Sequence, residues 1–178
     1  MEKVFKYVGV FVAVVMISFL VLYSNNDIGI NKVNIEKDAR SSQKISDDWQ
    51  VVKDTTELIS AMVFYNERLS NHIYSIYVNR PGPSFGYFFR DGGSIGEGII
   101  EFYINGYNER AFISMNRQQI SKVVIDNGNS IKIIEIESTK PFAFILPVNK
   151  VLSQFMISMA MLLRAKNKGY DISLQVLM

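Results

Sequence analysis

The chain of 178 residues carries 19 Lys and Arg against 17 Asp and Glu, with no cysteine and a single histidine. A net charge of +2 gives no general attraction for nucleic acid, so nucleic acid is not an expected partner. The lack of cysteine argues against disulfides, a thiolate nucleophile, a zinc ribbon and a lipid-modified cysteine, and we expect no cofactor and no metal.

The first element is an uncharged apolar run at residues 7–23, YVGVFVAVVMISFLVLY. At about 1.5 Å of rise per residue this run makes a helix of about 26 Å, close to the thickness of the hydrocarbon core of a bilayer. Lys3 and Lys6 precede the run and no basic residue follows it until Lys32. The positive-inside rule therefore predicts a single transmembrane anchor, with residues 1–6 in the cytoplasm and the remaining chain in the periplasm.

Two other interpretations of this run remain open. A cleaved signal peptide also begins with a short basic region and an apolar core, but its cleavage site needs small side chains where this run ends in Val21, Leu22 and Tyr23. The buried helix of a soluble protein would carry more polar residues on one face than Ser18 and Gly9 provide.

Residues 24–48 are polar and have no sustained hydrophobic period, which predicts a tether between the anchor and one domain at residues 49–178. Trp49, Val51 and Val52 begin the first predicted strand. Residues 54–68 are ambiguous, because an Asp–Glu capping pattern and helical spacing compete with a strand-prone run, and we favour a strand.

The remaining strand signals are apolar or aromatic runs bounded by turn residues. Asn127-Gly128 lies between two such runs and predicts a β-hairpin. Further strands are predicted at residues 72–79, 84–90, 99–104, 111–115, 120–125, 131–136, 141–147 and 170–177.

From residue 149 to residue 168 the apolar residues recur at helical spacing, and basic residues precede Gly169. This pattern predicts one amphipathic helix near the C-terminus. The predicted fold is therefore mainly β, a β-sandwich-like domain of about 7–9 antiparallel strands with one C-terminal amphipathic helix, preceded by a single transmembrane helix.

Several short motifs follow one another in a characteristic order: WQVV at the first strand, a strand that ends near a Pro-Gly loop, FYING before a further strand, and a late apolar strand that leads toward an amphipathic segment. In this layout the chain resembles the invasion-associated locus B family of exported bacterial proteins. The resemblance implies a periplasmic β-sandwich without known catalysis.

Two features are candidates for partner binding. The loop of Arg80, Pro81 and Pro83 is a rigid basic turn, and Met156 and Met159 lie on the stripe of the predicted helix. We expect a non-enzymatic domain that binds another envelope protein, as an accessory to a secretion, conjugation or exclusion apparatus.

Two alternatives belong to other functional classes. The domain could act as a periplasmic inhibitor or immunity protein, which predicts tight binding of one small soluble protein. It could also act as an envelope hydrolase, which predicts a pocket where carboxylates converge from the set Asp91, Glu97, Glu101 and Glu109.

Overall fold

The computed structural model describes residues 2–24, 27–80, 82, 84–126, 130–149 and 151–157. Helix α1 is Glu2–Ser24, a 3-10 turn spans Lys32–Asn34, and helix α2 is Ile35–Ser42. The strands are β1 Gln50–Thr55, β2 Ile59–Tyr65, β3 His72–Asn79, β4 Tyr87–Gly93, β5 Ile99–Tyr103, β6 Glu109–Ser114, β7 Ile120–Asp126, β8 Ile131–Glu135, β9 Phe142–Pro147 and β10 Val151–Ile157. The mainly β fold with an N-terminal apolar helix is confirmed.

Helix α1 exposes its apolar surface and does not bury it against the domain. Its stretch Tyr7–Ser24 has 18 residues with a mean hydropathy of 2.3, and none of that stretch is buried. A helix of this length is about 27 Å long, which is enough to cross a hydrocarbon core. The predicted apolar helix is confirmed, and it has the length and composition of a membrane span.

The strands form three antiparallel sheets. One sheet has the order β1-β2-β3-β4, the second β5-β6-β9 and the third β10-β7-β8. We call them the meander sheet, the middle sheet and the outer sheet. The ambiguous stretch 54–68 contains the end of β1 and all of β2, so the prediction of a strand there is confirmed.

The meander sheet and the middle sheet enclose the main apolar core. Ile59, Ala61 and Val63 of β2 pack with Ala111 and Ile113 of β6. The opposite face of the middle sheet packs on the outer sheet through aromatic and branched residues, namely Phe112, Ile120, Val123, Ile125, Phe142, Phe144 and Leu146. The domain is therefore a stack of three sheets, and the middle sheet is covered on both faces.

Helix α2 covers the outer face of the meander sheet. Its Ile35 and Ala39 pack with Met62, Phe64 and Tyr77. Because β2 is covered by the helix on one face and by the middle sheet on the other, all seven of its residues are buried. This explains why β2 is a continuous apolar run rather than an alternating one.

The polar segment predicted as a tether contributes to this layer. Residues 27–48 contain the 3-10 turn and α2, and hydrogen bonds fasten the helix to the sheet. The Tyr77 hydroxyl donates to Asp38 Oδ2 at 2.7 Å, and burial raises the pKa of Tyr77 well above its ordinary value. The structure thus places this segment on the surface of the domain, where three apolar residues, Ile35, Ala39 and Ile45, are buried.

The predicted C-terminal amphipathic helix is wrong where the structure describes it. Residues 151–157 form β10, which pairs antiparallel with β7 from Val151 opposite Asp126 to Ile157 opposite Ile120. Val151, Phe155 and Ile157 favour a strand, and β7 has a hydrogen-bonding edge that a helix would leave without a partner. Residues 158–168 of that helix and the predicted strand at 170–177 lie outside the described residues.

An ion-pair cluster on Glu36 joins α2 to β1. Lys53 Nζ donates to Glu36 Oε2 at 2.7 Å and Arg40 Nε donates to Oε1 at 3.2 Å. The hydrogen bond from Lys53, assisted by Arg40, lowers the pKa of the Glu36 carboxyl below its usual 4.5. The ionised carboxylate is therefore the form that the fold stabilises.

This cluster predicts a loss of stability in acid. A carboxyl whose pKa is lower in the folded state stabilises the fold above its unfolded pKa, and the effect disappears as pH falls through the folded pKa. Glu36→Gln should lower the free energy of unfolding by about 1 kcal/mol at pH 7 and flatten its decline below about pH 4.5. Denaturant titrations followed by Trp49 fluorescence would measure the free energy of unfolding at each pH. Glu67→Gln, at an exposed position, is the control. Equal pH profiles of the free energy of unfolding for both variants would contradict the prediction.

Candidate interaction surfaces

Arg80, the first predicted partner-binding residue, is exposed at the end of β3. Its Cζ lies 4.0 Å from the centroid of the Phe88 ring, a cation–π contact that fixes the guanidinium over β4. Beneath it, the Phe88 ring packs so closely on Gly29 that a Cβ there would meet ring atoms at 2.9 and 3.0 Å. Pro81 and Pro83, the other residues of this predicted site, lie outside the described residues.

The segment that contains Gly29 joins helix α1 to the meander sheet. Asp27 N donates to Leu22 O at 2.9 Å, which links the segment to the last turns of α1. Gly29 N donates to Phe85 O at 2.6 Å and Phe85 N donates to Asp27 O at 2.8 Å. Ile30 and Tyr87 exchange two further backbone hydrogen bonds, of 2.7 and 2.8 Å. Four backbone hydrogen bonds therefore hold residues 27–30 against residues 85–87.

Two glycines make this close approach possible. A Cβ on Gly29 would lie 2.6 Å from the Tyr87 carbonyl oxygen, and one on Gly86 would lie 2.8 Å from the Ile30 carbonyl oxygen. Gly86 also has a φ of +86°, a conformation that other residues rarely adopt. The junction thus depends on glycine at both positions.

The side chains around the junction are apolar and basic. The Phe85 side chain is 63% exposed although its backbone is fully paired, and Ile28 beside it is exposed as well. Arg80 lies over the Phe88 ring, which packs on Gly29 of the junction. We call Ile28, Arg80 and Phe85 the junction surface.

A second exposed apolar surface lies on the outer sheet. Ile131 and Ile133 of β8 are 68% and 54% exposed, because their neighbour Ile134 takes the inward position against the middle sheet. Among the described residues β8 pairs only with β7, so its other edge has no strand partner. Met156 belongs to the opposite edge strand, β10, and Met159 lies outside the described residues.

The four candidate carboxylates do not converge. Glu101 lies opposite Phe112 and therefore faces the outer sheet, whereas Glu109 alternates with Phe112 and faces the meander sheet. Each has its own partner: Arg110 Nη1 donates to Glu101 at 2.7 Å and Thr56 Oγ1 donates to Glu109 at 2.5 Å. Asp91 is on β4 of another sheet, and its Oδ1 accepts from Gly92 N.

Other arrangements that could carry chemistry are limited in the described part of the chain. It contains no group of three His, Asp or Glu side chains placed to hold a metal ion. A cleft of about 440 Å³ beside α2 is open and includes Glu36 and Arg40, whose charged groups already bind each other. We therefore assign this cleft a structural role.

The sequence-based search missed Phe85 and the two isoleucines of β8. Phe85 stands in an aromatic run whose alternation does not reveal which ring is exposed, and the run IKIIEI does not reveal which of its isoleucines the fold leaves uncovered. A search of protein-family models, curated proteins and solved structures finds no match to the chain. The resemblance in layout to the invasion-associated locus B family therefore stays a prediction.

Proposed function

We propose that the protein is a single-pass, membrane-anchored domain that binds another protein of the bacterial envelope, with its N-terminus in the cytoplasm and its domain in the periplasm. The observation that carries the proposal is the fully unburied apolar stretch Tyr7–Ser24 joined directly to a folded β domain. Lys3 and Lys6 on the N-terminal side favour this orientation.

The outer sheet supports the binding role. An edge strand presents backbone N–H and C=O groups that another chain can pair with, and proteins usually protect such edges with charged residues or short strands. β8 is itself short and carries the exposed charges Lys132 and Glu135, but it also exposes Ile131 and Ile133 on one face. A partner that added a strand to β8 would gain backbone hydrogen bonds and cover both isoleucines.

The experiment is site-specific photo-crosslinking of the full-length protein in intact membranes. A photoreactive phenylalanine analogue at position 133 should give a discrete adduct with one envelope protein. The matched control places the same analogue at Val33, which is 82% exposed on the far side of the stack, and should not give that adduct. In a second variant the photoreactive analogue is placed at position 131. There the additional substitution Ile133→Lys should reduce the yield of the adduct about tenfold, because it places a charge in the part of the contact that the partner would bury.

Several outcomes would count against the proposal. The same adducts at positions 33 and 133 would show that β8 has no special role. An adduct of twice the mass of the chain would assign the edge to a second copy of this protein instead. A small soluble toxin or enzyme as the partner would favour an inhibitor or immunity protein.

A further inference from the structure

The junction surface lies close to the end of the apolar span, and the hydrogen bonds set an upper limit to that distance. The Leu22 carbonyl belongs to the last turns of the span and binds Asp27 N, while Asp27 O binds Phe85 N. The Leu22 carbonyl oxygen and Phe85 N are separated by two hydrogen bonds and the backbone of Asp27. Phe85 N therefore lies within about 9 Å of the Leu22 carbonyl oxygen. Phe85 is therefore close to the plane where the helix leaves the hydrocarbon.

The polar headgroup layer of a bilayer is thinner than this distance of about 9 Å. Headgroups add about 5–7 Å to each side of the hydrocarbon core. If α1 spans the bilayer, the Phe85 ring, which extends outward from its backbone, can reach this layer. The four backbone hydrogen bonds and the two glycines prevent the junction from separating without the loss of paired backbone groups.

The composition of the junction surface suits a lipid surface. Exposed aromatic and branched side chains partition into the boundary between headgroups and acyl chains. Arg80 adds positive charge at the same end of the domain, and a guanidinium matches the geometry of a phosphate. Of the acidic residues nearby, Asp27 is half-buried, and Glu57, whose carbonyl oxygen accepts from Asn79 Nδ2, forms an ion pair with Lys32 at 2.8 Å.

We propose that the junction surface rests on the bilayer that holds α1, with the Phe85 ring in the interfacial layer and the Arg80 guanidinium on lipid phosphate. This inference rests on the proposed membrane anchor. It makes the domain a body with a fixed orientation, in which the end of β3 next to Arg80 contacts lipid and the β2–β3 turn at residues 66–71 lies about one strand length, roughly 25 Å, away from that contact.

The test uses the full-length protein in liposomes of phosphatidylcholine and phosphatidylglycerol. Because the chain has no cysteine, single cysteines can carry an environment-sensitive fluorophore at one position each. Phe85→Cys and Ile28→Cys report on the junction surface, Ile17→Cys reports on the anchor, and Glu67→Cys, exposed in the turn at the opposite end of β3, is the matched control. Spin-labelled lipids quench the fluorophore, with the label on the headgroup or deep in the acyl chain.

We expect headgroup-labelled lipid to quench positions 85 and 28 at least about threefold more than position 67, and Arg80→Gln to reduce quenching at position 85. Position 17 should be quenched by the acyl-chain label. Quenching at positions 85 and 28 no greater than at position 67, with position 17 quenched, would overturn this inference and leave the anchor intact. Failure to quench position 17 would overturn the anchor and the inference together.

Discussion

Phe64→Ala is expected to lower the free energy of unfolding by about 4 kcal/mol, the largest effect of any single substitution in the domain that we predict. Phe64 is completely buried near the C-terminal end of β2, on the face that α2 covers. Its ring also lies 5.0 Å from the guanidinium carbon of Arg40. Removal of the ring would open a cavity between α2 and the meander sheet and deprive Arg40 of a contact.

Trp49 makes this effect directly measurable. It packs against the same cluster as Phe64, so its fluorescence reports on this layer during denaturant unfolding in detergent. The matched control is Phe85→Ala, which removes the same ring from an exposed position and should change the free energy of unfolding by less than about 1 kcal/mol. Similar losses for the two variants would show that the layer formed by α2 contributes little to stability.

Two arginines in the middle of α1, Val14→Arg with Ile17→Arg, should prevent export of the domain. Each arginine at the centre of a span costs about 3 kcal/mol of insertion free energy on translocation scales, so the pair costs about 6 kcal/mol. The chain has no cysteine, so Val33→Cys provides a unique thiol on the highly exposed 3-10 turn. We expect a membrane-impermeant maleimide to label this thiol in cells with a permeabilised outer membrane only when α1 is unchanged.

The control for this experiment is Val14→Leu with Ile17→Leu, which changes the same positions and keeps them apolar. It should leave labelling unchanged. Labelling of the arginine variant at the level of the control would contradict the anchor. In the protein with the unchanged helix, a thiol at position 33 that reacts only after lysis would contradict the orientation instead. The second result would place the domain in the cytoplasm and reverse the proposed orientation.

Local sequence signals were sufficient to predict most of the strands. Asn127-Gly128 between two apolar runs predicts the hairpin, and β7 pairs with β8 on either side of it. The stretch from Ile59 to Tyr65 was harder to assign because both of its faces are buried, which removes the alternation that distinguishes a strand from a helix. Only its β-branched and aromatic residues favoured the correct assignment.

Tertiary context decided the elements that the sequence did not reveal. Helix α2, IEKDARSS, buries only Ile35 and Ala39, so its eight residues contain too little hydrophobic signal to separate them from a linker. The residues of β10 fit helical spacing as well as a strand, and the pairing with β7 determines the outcome. A single sequence cannot show which edge needs a partner.

The candidate surfaces also combine residues that the sequence identifies with residues that only tertiary packing reveals. Arg80 could be identified from its turn, because Pro-Gly punctuation implies an exposed loop. Its position next to residues 27–30 depends on Phe88 and Gly29, which come together only through the packing of distant segments. The exposure of Ile133 likewise depends on which face of β8 the middle sheet covers.

The pairing order of the strands has a consequence for biosynthesis. The meander sheet consists of consecutive hairpins within residues 50–93. In the other two sheets, β6 also pairs with β9, and β7 also pairs with β10, which ends at residue 157. A chain that emerges from a translocon with its N-terminal segment first can therefore complete the layer nearest its anchor before the outer sheet exists. Until β6 and β9 emerge, the inner face of the meander sheet remains at least partly uncovered, so a chaperone would have its greatest opportunity to bind during that interval.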